Sequence, residues 1–192
     1  QGALGRHQPL MLGKRRQTLT WQLGYQGAQY QREALYDGLL LSLRDYLPLT
    51  DRLALQLDLV GLQLNYSDYD YLSGWQYKAS TRLHYAARAD RRWLLELGYD
   101  QMDAREDAYA FDQPHLKLRY THEWTGGWIT GTSAELSGKY YQAPDPFFQE
   151  TRKERLVRLE ADLLNRQFNL WRLAPRLVVG WEDNASNLDL YT

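Results

Sequence analysis

The sequence predicts an all-β fold: an antiparallel, up-and-down transmembrane β-barrel, with about ten strands present as part of a larger barrel. Three observations carry this expectation. Apolar and polar residues alternate with a period of two over long segments, the polar connections alternate between tight and long, and tryptophans sit beside the tight ones. The clearest segment is Gly74 to Asp103, GWQYKASTRLHYAARADRRWLLELGYDQMD. Trp75, Tyr77, Ala79, Thr81, Leu83 and Tyr85 alternate with Gln76, Lys78, Ser80, Arg82 and His84. After a polar connection, Ala87 to Arg92, the pattern resumes with Trp93, Leu95, Leu97 and Tyr99 against Leu94, Glu96, Gly98 and Asp100. A strand with lipid on one side and a wet lumen on the other needs this division of faces.

The remaining elements follow in order. Residues 1–14 are Gly-rich and basic, show no clear period, and read as a loop or the remnant of a preceding element. The barrel domain is then 15–192, truncated at its last strand. Gln17 to Tyr25 places Leu19, Trp21, Leu23 and Tyr25 on one face, and a polar loop, Gln26 to Glu33, follows. Leu35 to Asp45 sets Leu39, Leu41 and Leu43 against Leu40, Ser42 and Arg44. Pro48 and Asp51 mark the next turn. Leu53 to Tyr66 begins with Leu53, Leu55, Leu57 and Leu59 on one face and Gln56 and Asp58 on the other. Past Val60 the phase flips, which predicts a bulge near Gly61.

The loop Ser67 to Ser73 precedes the hairpin above, and the long polar loop Met102 to Gln113 follows it. His115 to Trp124 and Trp128 to Tyr141 flank the tight turn Thr125-Gly126-Gly127. A loop with Pro144 and Pro146 leads to Arg155 to Leu164, then a turn at Asn165 to Leu170, then Trp171 to Glu182. Leu188 to Thr192 reads as the start of a further strand.

A chain of 192 residues supports one sizeable domain. It has no cysteine, which excludes disulfides and cysteine-ligated zinc. The net charge of -1 gives no global pull toward nucleic acid or anionic lipid. A mean hydropathy of -0.64 describes a soluble chain, but barrel strands show only half their residues to lipid. Fifteen Tyr and seven Trp suit interfacial girdles, since these rings have an apolar body and a polar tip. No run approaches the ~20 apolar residues of a membrane helix. The chain starts at Gln1 without a signal peptide and reads as a mature piece or internal fragment.

The polar face is expected to line the lumen with Arg44, Lys78, Arg82, Glu96, Asp100, Lys117, Arg119, Glu135, Lys139, Arg158, Glu160, Asp162, Arg176 and Glu182. With both signs mixed, the row reads first as cross-strand ion pairs that fill and stiffen the wall. The second reading is a charged lumen that sets selectivity or guides an unfolded cargo. Trp21, Tyr25, Trp75, Tyr85, Trp93, Tyr99, Trp124, Trp128, Trp171 and Trp181 are the expected membrane-interface aromatics. Of these, Trp93, Trp124, Trp128 and Trp171 belong to the tight-turn side, and Tyr25, Tyr99 and Trp181, with Tyr66, to the outer rim.

His84, His115 and His122 with Ser133 or Ser137 are the groups a hydrolase would need, but no GxSxG elbow places them together. No catalytic residue, metal or cofactor is assigned, and the chain is not read as an enzyme. Asp68 and Asp70 flank Tyr69 in a loop, far short of the six or more oxygens a hard cation takes. Two glycosylation-type tripeptides, Asn65-Tyr66-Ser67 and Asn184-Ala185-Ser186, are common by chance.

The segment Leu163 to Thr192 reads LLNRQFNLWRLAPRLVVGWEDNASNLDLYT. Its polar turn, Ala174-Pro175-Arg176-Leu177, Asp183-Asn184, Ser186-Asn187 and Leu190-Tyr191 resemble the end of the barrel in the surface lipoprotein assembly modifier family. The resemblance implies an outer-membrane barrel of about fourteen strands, within the range of bacterial barrels, often preceded by periplasmic tetratricopeptide repeats. It implies a translocator assisting export of surface lipoproteins or small secreted proteins, located in the bacterial outer membrane. Its partners would be outer-membrane lipid, a protein cargo and the periplasmic repeat domain, with no nucleic acid. Two other classes remain open: a passive porin-like or glycan-export channel, and a soluble ligand-binding β-barrel with its apolar face inward.

Overall fold

A computed structural model of the chain describes residues 2–12, 15–30, 33–167 and 174–188. They form ten strands: β1 (Gly2–Leu12), β2 (Arg15–Tyr30), β3 (Glu33–Pro48), β4 (Leu53–Tyr66), β5 (Gly74–Arg88), β6 (Arg91–Ala104), β7 (Phe111–Glu123), β8 (Trp128–Pro144), β9 (Thr151–Asn165) and β10 (Arg176–Ser186). Each strand pairs with its neighbour in chain order, all antiparallel, in one sheet from β1 to β10. This is an up-and-down meander, the wall of a partial barrel. Antiparallel neighbours joined by short connections close each hairpin locally, so no crossover is needed.

Several boundaries differ from the sequence reading. Residues 2–12 are a strand, not a loop: β1 pairs with β2 from Gly2↔Tyr25 to Leu12↔Arg15. Its lack of period hid it, because pairing satisfies the backbone whatever the side chains. The connections narrow to residues 89–90, 105–110 and 145–150. The turn at 125–127 needs its glycines, since Gly126 and Gly127 both have φ of 77°. The last described strand starts at Arg176; Trp171 and residues 189–192 lie outside the described residues.

The bulge expected near Gly61 does not exist. Register runs unbroken through it, Leu59↔Leu43, Val60↔Ser42, Gly61↔Leu41 and Leu62↔Leu40. The phase flip has another cause: Leu62 and Leu64 point to the otherwise polar face, where they join Met102, Ala104 and Ala110 in a buried cluster. Tyr36, Leu40, Tyr66, Tyr109 and Phe111 pack around it. Connections 67–73 and 105–110 are tied together beside it. Arg105 N donates to Ser73 O at 2.8 Å, Glu106 N to Tyr71 O at 3.2 Å, and the Tyr71 and Tyr109 rings lie 4.7 Å apart.

Elsewhere the two faces are covered unequally. Leu41 and Leu97 are 58% and 56% exposed, and the described tryptophans share their face. The side chains of Asp58, Glu96 and Asp162, on the opposite face, keep only 13%, 14% and 6%. No large side chain is fully buried among the described residues. The face with the leucines and tryptophans, called outer below, is the more open, and the carboxylates of the ionic face, called inner, are the more covered.

Close backbone approach near the inner cluster yields a test. A Cβ on Gly38 would overlap the Gln63 carbonyl oxygen, whereas one on Gly61 meets nothing within 4 Å. Gly38→Val is expected to destabilise by ~1–3 kcal/mol, as overpacking does. Gly61→Val should stay within ~0.5 kcal/mol of the parent. Urea unfolding midpoints in detergent micelles measure both.

Candidate functional site

The candidate site is the inner face itself. In antiparallel sheets, directly opposed residues share a face and their side chains interact. Register therefore assembles a row from seven strands: Gln56, Arg82, Glu96, Lys117, Glu135, Arg158 and Glu182, from β4 to β10. From Arg82 onward the sign alternates at every step. Arg82 Nε lies 2.8 Å from Glu96 Oε2, Lys117 Nζ 3.2 Å from Glu135 Oε2, and Arg158 Nε 2.7 Å from Glu182 Oε2.

Neighbouring rows extend the network. Asp58 accepts from Arg44 Nε at 2.5 Å, Arg82 Nη1 at 3.0 Å and Gln56 Nε2 at 2.6 Å. Asp162 accepts from Arg119 and, at 3.1 Å, from Arg176 Nη2. Lys78 Nζ stands 3.7 Å from Asp100 Oδ2, and Arg119 Nη1 3.8 Å from Glu160 Oε1. Lys139 is placed differently, with its Nζ 3.9 Å from the centre of the Phe111 ring. That is cation–π range. Two glycines make room. A Cβ on Gly98 would collide with the His115 ring, and one on Gly131 with the Arg119 and Asp162 groups that meet over it.

All fourteen residues expected in the lumen fall on this one face by register. Asp58 was not among them, yet it carries three donors. The alternation already put it on the polar side; only register shows that Arg44 and Arg82 flank it. His115 was likewise set apart, and its Nε2 lies 3.4 Å from Glu96 Oε1.

The hydrolase groups do not assemble. Ser137 stands opposite His115 in the β7–β8 register, but among the described residues no hydrogen bond joins them. His84 lies beside the Tyr46 ring on the inner face. His122 is on the outer face, stacked 4.0 Å from Trp124. Asp70 pairs with Arg105, and no group of three or more metal-ligating residues occurs among the described residues.

Trp21, Tyr25, Trp75, Tyr85, Trp93, Tyr99, Trp124, Trp128 and Trp181 are all exposed. Tyr85 and Trp93 stand opposite each other beside the 89–90 connection, and Trp124 and Trp128 bracket residues 125–127. Trp181 sits midway along β10, opposite Leu159, and not at the strand's outer end.

Comparison with known proteins gives one consistent result. The profile of a family described as surface lipoprotein assembly modifier matches residues 16–192. A protein named surface lipoprotein assembly modifier from Pasteurella multocida is 23% identical over 140 residues, covering 65% of this chain and 28% of its own length. Surface lipoprotein assembly modifier 1 of Haemophilus influenzae is 24% identical over 127 residues, covering 66% of this chain and 26% of its own. A Moraxella catarrhalis protein of the same name is 24% identical over 110 residues, 56% of this chain and 22% of its own length. The chain thus spans about a quarter of the length of the curated relatives it matches. No solved structure matches it.

The network predicts unequal costs for its arginines. Arg82→Met leaves Asp58 and Glu96, both largely covered, short of their shared cation, and is expected to cost ~1–3 kcal/mol. Arg44 is 58% exposed, so Arg44→Met should cost under ~1 kcal/mol. The same unfolding assay ranks them, and equal costs would contradict the shared-cation geometry.

Proposed function

This chain belongs to the surface lipoprotein assembly modifier family, and we propose that it forms part of the wall of an outer-membrane barrel assisting export of surface lipoproteins or small secreted proteins. The observation that carries the reading is the inverted coverage of its faces: exposed leucines and tryptophans on one, and largely covered carboxylates such as Asp58, Glu96 and Asp162 on the other. Lipid makes that arrangement favourable. An Arg or Lys facing hydrocarbon at the bilayer midplane costs ~2–4 kcal/mol, while a lumen-facing one does not bear that cost. A soluble ligand-binding barrel would need the opposite arrangement, with the leucines facing its cavity.

The inner wall is polar but nearly self-neutralising. Arg44, Lys78, Arg82, Lys117, Arg119, Arg158 and Arg176 are matched by Asp58, Asp100, Glu96, Glu135, Glu160, Glu182 and Asp162. Such a surface can pass an extended chain of either charge without holding it, because few of its charges are left to pair with cargo. The reading assigns no catalytic residue and no cofactor. Bilayer lipid, a lipoprotein or small secreted cargo, and a periplasmic repeat domain are the partners it calls for, in the outer membrane of a bacterium.

Deleting the gene in its host is expected to remove lipoproteins from the cell surface, read by surface labelling. Unchanged display, together with ion conductance by the purified protein, would favour a passive channel. Within the wall, Arg82→Glu is expected to lower both folding yield and surface display. Adding Glu96→Arg should restore both only in part, because the new cation then faces Lys117 and the new carboxylate faces Asp58. Restored folding without restored display would instead give the signs a guiding role.

A further inference from the structure

We propose that the outer face holds a defined site for one glycerophospholipid, in a groove floored by β8 and β9. The proposal rests on the reading that this face meets the bilayer. Most of the outer face is filled by large residues in register, such as Leu83–Leu95–Leu118. Around Thr132 and Ala134 on β8 the filling thins, with Leu136 along the strand and Leu159 across from Ala134 bounding the gap. Thr132 stands opposite Ala161, and Ala134 lies two residues along on the same face. Trp93 and Tyr120, opposed in register with rings 4.6 Å apart, form one wall, and Trp181 forms the other. The open groove between them is about 560 Å³. That lies in the ~300–1,000 Å³ range of small-ligand sites, and it is lined by rigid rings.

Its polarity is graded as a phospholipid's is. The middle is methyl and ring surface. Toward the 125–127 connection the wall continues from Tyr120 to His122, whose Nδ1 shares a 3.1 Å hydrogen bond with the Tyr120 hydroxyl. His122 stacks on Trp124, whose indole N–H donates to Thr130 Oγ1 at 2.9 Å. Arg91 stands opposite His122 in register. Asp90 Oδ2 lies 3.7 Å from both Arg91 Nε and His122 Nε2, and this cluster adjoins the groove end that Trp93 and Tyr120 line. The trough suits an acyl chain, and the guanidinium, imidazole and hydroxyls suit a phosphodiester and its ester oxygens. The lipid anchor of a cargo lipoprotein offers acyl chains without that phosphate, so the bilayer's own phospholipid is the occupant that cluster selects.

The test is native mass spectrometry of the full-length protein after detergent extraction, with phospholipid phosphorus counted on the same sample. The parent protein is expected to retain about one phospholipid per chain. Ala134→Trp and Ala161→Trp fill the trough, and each should cut retention about tenfold, a change of ~1.4 kcal/mol. Thr132→Leu, a milder filling, should reduce it in the same direction, and Arg91→Ala should lower it with the trough intact. Ala79→Trp, on the same face opposite Leu59 and Tyr99, should change nothing. Retention unaltered in compact, detergent-bound Ala161→Trp and Thr132→Leu proteins would overturn the proposal. So would equal loss in Ala79→Trp, or recovery of an acylated polypeptide in place of phospholipid. A parent protein that stays monomeric in water without detergent would defeat the membrane reading itself, and the groove with it.

Discussion

The structure depends on one arrangement: opposite charges facing each other across successive strands of a sheet that has lipid-type side chains on its other face. Arg82 shows how it works. One guanidinium serves Asp58 through Nη1 and Glu96 through Nε, and so ties β4, β5 and β6 together on the inner side. Partly covered carboxylates without such a cation would be costly to desolvate. With it, the wall stays polar without becoming a strong field of either sign. The alternation needs a register in which every acid meets a base, and a slip of one residue would turn the whole set over to the apolar side. The ion pairs therefore specify register more than they add net stability.

The same sheet departs from this rule at its two ends, in opposite senses. At the long-connection end, apolar residues leave the outer face and gather inside: Leu62 and Leu64 under Tyr66, Tyr109 and Phe111. Lys139 and Arg152 lie over the aromatic rings there, the Arg152 guanidinium 3.8 Å from the Tyr141 centroid. A local core of this kind anchors connections 67–73 and 105–110, which would otherwise have only water for their backbone groups. At the tight-turn end, polar groups move outward, with Arg91, His122 and Thr130 joining Trp93, Trp124 and Trp128. Amphipathic rings beside polar tips suit the boundary between hydrocarbon and water.

Much of the fold was legible because a period of two needs no knowledge of neighbours. Trp75 to Tyr85 and Trp93 to Tyr99 announce their faces from spacing alone, and all fourteen charged residues fell on the face that spacing assigned. Where local pattern and tertiary need diverge, the reading failed. Val60-Gly61-Leu62 looked like a slipped register, although the strand is regular and its upper half is simply buried on the other side. Gly2–Leu12 read as a loop or the remnant of a preceding element because its side chains do not alternate, and backbone pairing with β2 makes it a strand.

What the sequence by itself determined is the division of most strands into an apolar and an ionic face, and the places where the chain turns, since both are set by residues adjacent in the chain. Which face is covered, and which partner each charge meets, only the tertiary structure decided. Glu96 meets Arg82 and His115 through pairings fourteen and nineteen residues apart, and Arg119 meets Asp162 across forty-three. Alternation is blind to such distances, because it records the side on which a residue lies and carries nothing about which strand will lie beside it.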